Sequence, residues 1–329
     1  MLRAVLLAFV LLLSMAAAAQ QSMDYIVDRD TPEWFKKSFL DFSEDAAEAA
    51  AENKRVMIYF GQDGCPYCKK LHDLNYRQTE IVTKMRSHLD SIALNIYGDL
   101  DTVWVDGNEY SEKELAARLS IQFTPTLLFL DEQGREILRL AGYQPPKKFK
   151  IALQYVIDKE EQEPFADYLR RMSPPTPTNT TAATYPQKFV TLPYDFIHAG
   201  KPTAVLISQP QCTACNEWRD FLQSETAVPW RQARDVLEVN LYGKQEVMHG
   251  MGEAAWVAKQ HVAFVPTLIF FNAEGQEEFR IDGYLRDFHL DSVFDYVVSG
   301  AYLQQPEFQR FLQKRADTLR EQGVEVKLW

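Results

Sequence analysis

Cysteine is scarce in this chain, four residues among 329. A small secreted scaffold held together by bridges would carry more of them over fewer residues, so disulfide stapling is a poor account of these four. Histidine is scarce too, with six. His88, His198, His249, His261 and His289 fall at no metal-ligand spacing, and His72, one turn after Cys68, reads as a solvated helix position. Positive charge is in deficit, with 35 Lys and Arg against 46 Asp and Glu. That balance disfavours nucleic acid and anionic lipid surfaces as partners. Long apolar runs are missing as well: nothing after the first segment approaches the roughly twenty residues a membrane-spanning helix needs.

The first segment has a different meaning. Arg3 supplies a short basic region, Val5 to Leu13 an apolar one, and Ala17-Ala18-Ala19 a small-residue cleavage pattern. Residues 1–19 are therefore expected to be a signal peptide, and the mature chain to be exported without a membrane anchor. No cysteine stands at the cleavage point to take a lipid. Removing Arg3 leaves 34 basic residues against 46 acidic ones, a net charge of −12.

All four cysteines lie in two Cys-x-x-Cys pairs. Gly64-Cys65-Pro66-Tyr67-Cys68 is answered downstream by Phe123-Thr124-Pro125-Thr126, and Gln211-Cys212-Thr213-Ala214-Cys215 by Phe264-Val265-Pro266-Thr267. Two cysteines so spaced at the start of a helix are the chemical minimum for reversible dithiol–disulfide exchange. A structural zinc site is the sharpest rival, but zinc ribbons space their pairs by roughly fifteen to twenty residues. Here a whole domain and a linker separate the pairs, so no metal is expected.

The chain repeats itself. Pro125–Tyr143 aligns without gaps on Pro266–Tyr284 with nine of nineteen residues identical. Asn95-Ile96-Tyr97-Gly98 matches Asn240-Leu241-Tyr242-Gly243 upstream. A unit of about 145 residues is a duplicated domain, far too long for a solenoid repeat. The expected organisation is a first domain over 20–170, a Pro/Thr-rich linker over 171–187 and a second domain over 188–329 with a C-terminal amphipathic helix carrying Phe308, Phe311 and Leu319. Asn179-Thr180-Thr181 in the linker fits a glycosylation sequon, a triplet common by chance in such segments.

Each copy reads β-α-β-α-β-β-α. Arg55–Phe60 and Thr203–Ser208 are apolar, β-rich runs, as expected of buried central strands. Second strands are expected at Ser91–Tyr97 and Leu237–Tyr242, helices at Ser111–Leu119 and Glu253–Gln260. Hairpins follow at Pro125–Leu130 with Glu136–Leu140 and at Pro266–Phe271 with Glu277–Ile281, turned by Gln133-Gly134 and Glu274-Gly275. Final helices are expected at Pro145–Ile157 and Arg286–Val298.

That order, with Cys-x-x-Cys at the first strand–helix junction and Pro-Thr opening the third strand, resembles exported thioredoxin-like thiol–disulfide oxidoreductases. The SoxW-type proteins and the catalytic domains of DsbC and DsbG are the nearer likeness. Cys65-Pro66-Tyr67-Cys68-Lys69-Lys70-Leu71, Glu112–Leu119, Thr124-Pro125-Thr126 and Gly142-Tyr143 carry it. The resemblance implies an α/β fold of two tandem domains, each a central mixed sheet flanked by helices. It implies catalytic, redox-active Cys65–Cys68 and Cys212–Cys215 disulfides, with Cys65 and Cys212 the exposed nucleophiles. Pro125 and Pro266 would be cis, and Thr124, Val265, Pro125, Pro266 and Tyr67 would meet an extended substrate. Trp218, beside the second pair, is open to either packing or substrate contact. The resemblance further implies a periplasmic protein that uses no cofactor, acts on cysteine-containing exported proteins and takes electrons from a membrane donor of thiol-reductant type. The resemblance favours a protein-disulfide reductase or isomerase, reductase foremost, although the sequence does not separate these from an oxidase; the alternative is a non-catalytic peptide-binding module or chaperone. The chain departs from ordinary thioredoxins at Tyr59 and Leu206, which stand where a buried acid is usual, and in the acidic stretch Asp99–Glu109.

Overall fold

The computed structural model describes residues 31–172, 189–196, 199–248 and 250–326. The expected signal peptide, most of the linker with Asn179, and His198 and His249 lie outside the described residues. Among the described residues, no helix is long and apolar enough to cross a membrane.

The first domain runs α1 (Phe42–Ala51), β1 (Arg55–Gly61), α2 (Pro66–Leu74), α3 (Thr79–His88), β2 (Leu89–Asn95), β3 (Asp101–Val103), β4 (Glu109–Ser111), α4 (Glu112–Arg118), β5 (Thr126–Leu130), β6 (Glu136–Ala141), α5 (Pro146–Asp158) and α6 (Phe165–Met172). The second runs β7 (Thr203–Ser208), α7 (Thr213–Gln223), α8 (Val228–Ala233), β8 (Asp235–Asn240), β9 (Glu246–Met248), β10 (Met251–Gly252), α9 (Glu253–Lys259), β11 (Thr267–Phe271), β12 (Glu277–Asp282), α10 (Asp287–Val298) and α11 (Phe308–Glu321).

Both domains build the same mixed sheet. Its order is β2-β1-β5-β6 in the first domain and β8-β7-β11-β12 in the second. β1 pairs parallel with β2 and antiparallel with β5, and β7 does the same with β8 and β11. Every residue of β1, β5, β7 and β11 is buried, because helices cover both faces of these central strands.

β2 and β8 end two residues earlier than the apolar pattern suggests. The Asn95 and Asn240 side chains each accept the backbone N–H two residues on, both at 3.0 Å, and turn the chain out of the sheet. The glycines of the repeated Asn-x-Tyr-Gly motif close this turn against a buried glutamate. Glu112 accepts the N–H groups of Asn95 and Leu100, Glu253 those of Asn240 and Gln245. A β-carbon on Gly98 or Gly243 would overlap that carboxylate.

Several elements were not expected. Asp41 caps α1 by accepting the N–H groups of Ser43 and Glu44, each at 3.0 Å. The acidic stretch forms the β3–β4 hairpin, with Trp104 buried against Phe42. The linker was expected to begin at Arg171, but α6 continues through Met172. Arg171 binds Glu163 at 2.6 Å and stacks on Tyr168. The expected C-terminal helix is α11: it buries Phe308, Leu312 and Ala316, and Arg315 ties it to Asp291 and Asp295 of α10.

The two domains dock face to face and exchange aromatic side chains. Phe123 of the first domain is buried in the core of the second, 5.4 Å from Phe308 and 6.1 Å from Phe279 between ring centroids. Phe264 of the second domain is buried in the core of the first, 5.7 Å from Phe165. Around this pair, Arg310 lies over Tyr97 and Arg170 over Tyr242, so the contacts repeat about an approximate twofold axis. Gln122 closes one side: its amide donates to the Pro306 carbonyl at 2.7 Å and its side-chain oxygen accepts from the Phe308 N–H at 3.0 Å.

Each exchanged phenylalanine thus stabilises a core to which it is not covalently local. Phe123→Ala is expected to lower the stability of the second domain by about 3–5 kcal/mol, the usual cost of deleting a buried phenyl ring. Urea unfolding monitored separately on each domain reads this. A larger loss in the first domain than in the second would contradict the exchanged packing.

Candidate redox site

Each cysteine pair begins a helix. Cys65 occupies the N-cap of α2 and Cys212 that of α7, and in both the capping sulfur accepts the N–H of the second cysteine at 3.1 Å. Unpaired N–H groups and the positive end of the helix favour negative charge at that sulfur. The Cys65–Cys68 and Cys212–Cys215 pairs are disulfide-bonded, with Cα atoms 5.2 and 5.1 Å apart. The chain enters each helix through a left-handed residue. At the first site this is Gly64, at φ 68°, for which the conformation is free; at the second it is Gln211, at φ 59°, where a side chain makes it costly.

The Pro-Thr loops face the sulfurs. The Thr124–Pro125 and Val265–Pro266 peptide bonds are cis. Thr126 donates its hydroxyl to the Phe123 carbonyl at 2.7 Å, and Thr267 does the same to Phe264 at 2.8 Å. That bond explains the threonine after each proline: it fixes the loop carbonyl two residues ahead of the proline. At the first site the Thr124 hydroxyl lies 3.3 Å and its carbonyl oxygen 3.6 Å from the Cys65 sulfur. Val265 has no hydroxyl, so the second site lacks this polar contact. Val265, Cys215 and the partly buried Cys212 pack together in an apolar cluster instead.

Domain docking sets the exposure of the sulfurs. Cys65 was expected to be an exposed nucleophile, but it is 6% exposed, while Cys212 is half-buried. The turn Asp282–Leu285 of the second domain closes over the first site, and Phe123, Thr124, Cys65 and His289 line a shared cavity of about 30 Å³. That is room for a water or two and no polypeptide. Beside it, a wider cleft of about 710 Å³ opens between Gln62, Asp63 and Tyr97 on one side and α11 on the other. Gly142 and Gly283, from equivalent turns, meet at the centre of the interface: a β-carbon on Gly283 would lie 3.5 Å from the Ala141 carbonyl oxygen.

Of the residues expected to contact substrate, Thr124 and Pro125 adjoin Cys65, and Val265 and Pro266 form the equivalent loop of the second domain. Tyr67 is turned toward the second domain, where it lies beside Arg286 and meets His289 edge to face at 6.3 Å. Trp218 is fully buried, donating to the Leu285 carbonyl at 2.7 Å, and serves packing. His72 is half-buried: it lies among the rings of Tyr59 and Tyr76, with its Nε2 buried. Among the described residues no cluster of three or more His, Cys, Asp or Glu is placed to hold a metal. Sequence reading missed the Asp282–Leu285 turn and His289. The repeated Gly-Tyr at 142–143 and 283–284 was the available signal, but a repeat does not say what it touches.

Comparisons with known proteins agree with the duplication. Residues 42–157 and 195–298 each match the family described as thioredoxin-like domain, together more than half of the chain. The thiol:disulfide interchange protein DsbD of Photorhabdus laumondii is 28% identical over 106 residues, covering 32% of this chain and 17% of its own length. DsbD of Pseudoalteromonas atlantica is 28% identical over 115 residues, covering 34% and 18%. The chain thus spans less than a fifth of the length of these curated relatives. Among solved structures, a thioredoxin-fold protein from Helicobacter pylori is 27% identical, with a TM-score of 0.30, over 34% of this chain and 73% of its own.

His289 provides a pH test of the closed interface. Burial, reinforced by nearby Arg286, holds its imidazole down at about 4. A folded value below the unfolded one of about 6.5 means that protonation favours the unfolded chain. Stability from this group is fully present above pH 6.5 and lost as pH falls toward 4, by at most about 3 kcal/mol. Urea midpoints of the wild type should fall over this window, and those of His289→Gln should fall less. Parallel declines would overturn the assignment.

Proposed function

Because the chain belongs to the thioredoxin-like domain family, in two copies, we propose that it is an exported, periplasmic thiol–disulfide oxidoreductase acting on cysteines of other exported proteins. The observation that carries this reading is the placement of each Cys-x-x-Cys disulfide at a helix N-terminus against a cis-proline loop. The N-terminal helix position stabilises a thiolate at Cys65 or Cys212, the form that attacks.

In the reducing direction the dithiol form reacts. The Cys65 or Cys212 thiolate attacks one sulfur of the substrate disulfide; a mixed disulfide forms and the other substrate sulfur leaves as a thiolate, taking up a proton. Cys68 or Cys215, losing its proton, then attacks the mixed disulfide, re-forms the internal bond and releases the second substrate thiol. Two electrons pass to the substrate, so a dithiol reductant must restore each site. A membrane thiol donor is the class of partner that fits, in line with the resemblance to DsbD. Thr124, Pro125, Val265 and Pro266 would present backbone groups to the substrate strand.

The half-buried Cys212 is the site open to proteins in the docked arrangement. Cys65 reacts after the Asp282–Leu285 turn moves aside, or with small thiols. A peptide-binding module without redox chemistry gives the two disulfides no use, and this disfavours it.

Insulin reduction by dithiothreitol tests the proposal. The intact protein should accelerate it, and Cys65→Ser together with Cys212→Ser should abolish the acceleration. Cys212→Ser alone should remove more of the rate than Cys65→Ser alone. An intact protein that binds unfolded chains but leaves the rate at its background value would reject the enzyme reading in favour of the binding module.

A further inference from the structure

One half-buried lysine reaches across the domain interface. Lys148, the third residue of α5, holds its ammonium 5.4 Å from the centroid of the Phe264 ring in the other domain. Phe264 directly precedes Val265–Pro266, the loop that packs in one cluster with Cys212 and Cys215. Among the described residues no carboxylate pairs with Lys148, and burial pushes its ammonium down from the ordinary lysine range. A desolvated cation without a counter-charge costs stability unless something nearby gains from it.

The approximate twofold axis shows what that is. Lys148 stands five residues after Tyr143, as His289 stands five after Tyr284, in the repeats already aligned. His289 is likewise the third residue of its helix, and it lines the cavity that holds the Cys65 sulfur. Phe123 lines that same cavity, as Phe264 flanks Lys148. Lys148 is therefore the counterpart of His289 in the repeat and in its helix, standing beside Phe264 where His289 shares a cavity with Phe123.

Other charges around this corner are committed elsewhere. Glu217 faces Tyr284, Arg219 binds Glu238 on β8, Lys150 binds Glu80 on α3, and Arg170 of α6 binds Asp167 while lying over Tyr242. Asp282 on β12 lies 3.1 Å from the Thr267 hydroxyl, and burial pushes its carboxyl up from the ordinary range.

We propose that Lys148, carried by the first domain, stabilises the Cys212 thiolate of the second across the interface, as a positioning cation for the proposed exchange reaction. A cation there favours the ionised sulfur, and the aromatic face of Phe264 holds the ammonium in place. The first site receives a histidine at the equivalent place, kept neutral at neutral pH, and no such charge. The two sites then differ in thiol acidity through residues each borrows from the other domain, and docking becomes part of how the second site works.

The proposal rests on the exchange chemistry above, so its test reads the thiol directly, without a protein substrate. In the full chain with Cys65, Cys68 and Cys215 changed to serine, the rate of Cys212 alkylation by iodoacetamide is followed against pH. Lys148→Met and Lys148→Gln should move the midpoint upward and lower the rate at pH 7 by at least about threefold, while Lys148→Arg should keep the original profile. A companion chain retaining only Cys65 should show no such shift on Lys148→Met. Unchanged Cys212 profiles in whichever of the two neutral variants stays folded would overturn the proposal. So would an equal shift at Cys65, which would mark general loosening of the interface.

Discussion

The reciprocal burial of Phe123 and Phe264 is the constraint on which the rest of the arrangement depends. Each ring fills space in the core of the other domain, and each is held by a cis-proline loop that also faces a disulfide. Packing and chemistry are therefore coupled through a few residues of backbone. A shift of Phe123 displaces Thr124, whose hydroxyl and carbonyl lie against the Cys65 sulfur. Because interiors are close-packed, such a displacement is not absorbed smoothly. The buried rings also explain why the domains meet along their cysteine-bearing edges: the cis-proline loops are where each domain leaves an aromatic side chain outside its own core.

Duplication supplies two sites with one backbone plan, and docking makes them unequal. The capping sulfurs, the threonine-to-carbonyl bonds and the glycine turns recur with nearly the same distances. The surroundings do not recur. The first site has a polar threonine, a second-domain turn above it and a neutral imidazole beside it. The second has a valine, a partly open sulfur and, over the Phe264 ring that precedes its proline loop, a lysine from the other domain. The two halves therefore differ around their sulfurs at Thr124/Val265 and at Lys148/His289, although one backbone plan holds both pairs.

Much of this was legible in the sequence. The two Cys-x-x-Cys pairs, the Pro-Thr strand starts and the nine identities over nineteen residues identify a duplicated domain and place its cysteines at equivalent positions. The central strands were legible because burial on both faces forces unbroken apolar runs, as in Val56–Phe60 and Ala204–Ile207. The early ends of β2 and β8 were not, because an asparagine side chain binding its own backbone overrides the apolar residues beyond it. Helix α3 was missed, since Thr79–His88 buries only Ile81 and Met85.

The pairing of the sulfurs and the proline facing them came from the family resemblance; the sequence by itself determined where each cysteine pair falls and where a helix begins so that its N–H groups meet the capping sulfur. Those are short-range properties, set by residues adjacent in the chain or repeated at a fixed spacing. Tertiary structure alone decided that Cys65 is covered while Cys212 stays half-buried, that Tyr67 points at another domain, and that Lys148 reaches the Phe264 ring while His289 reaches the cavity of the first site. These depend on how two folded surfaces meet. Contacts across such an interface join residues more than a hundred positions apart, such as Lys148 and Phe264, and leave no periodicity in the chain to read.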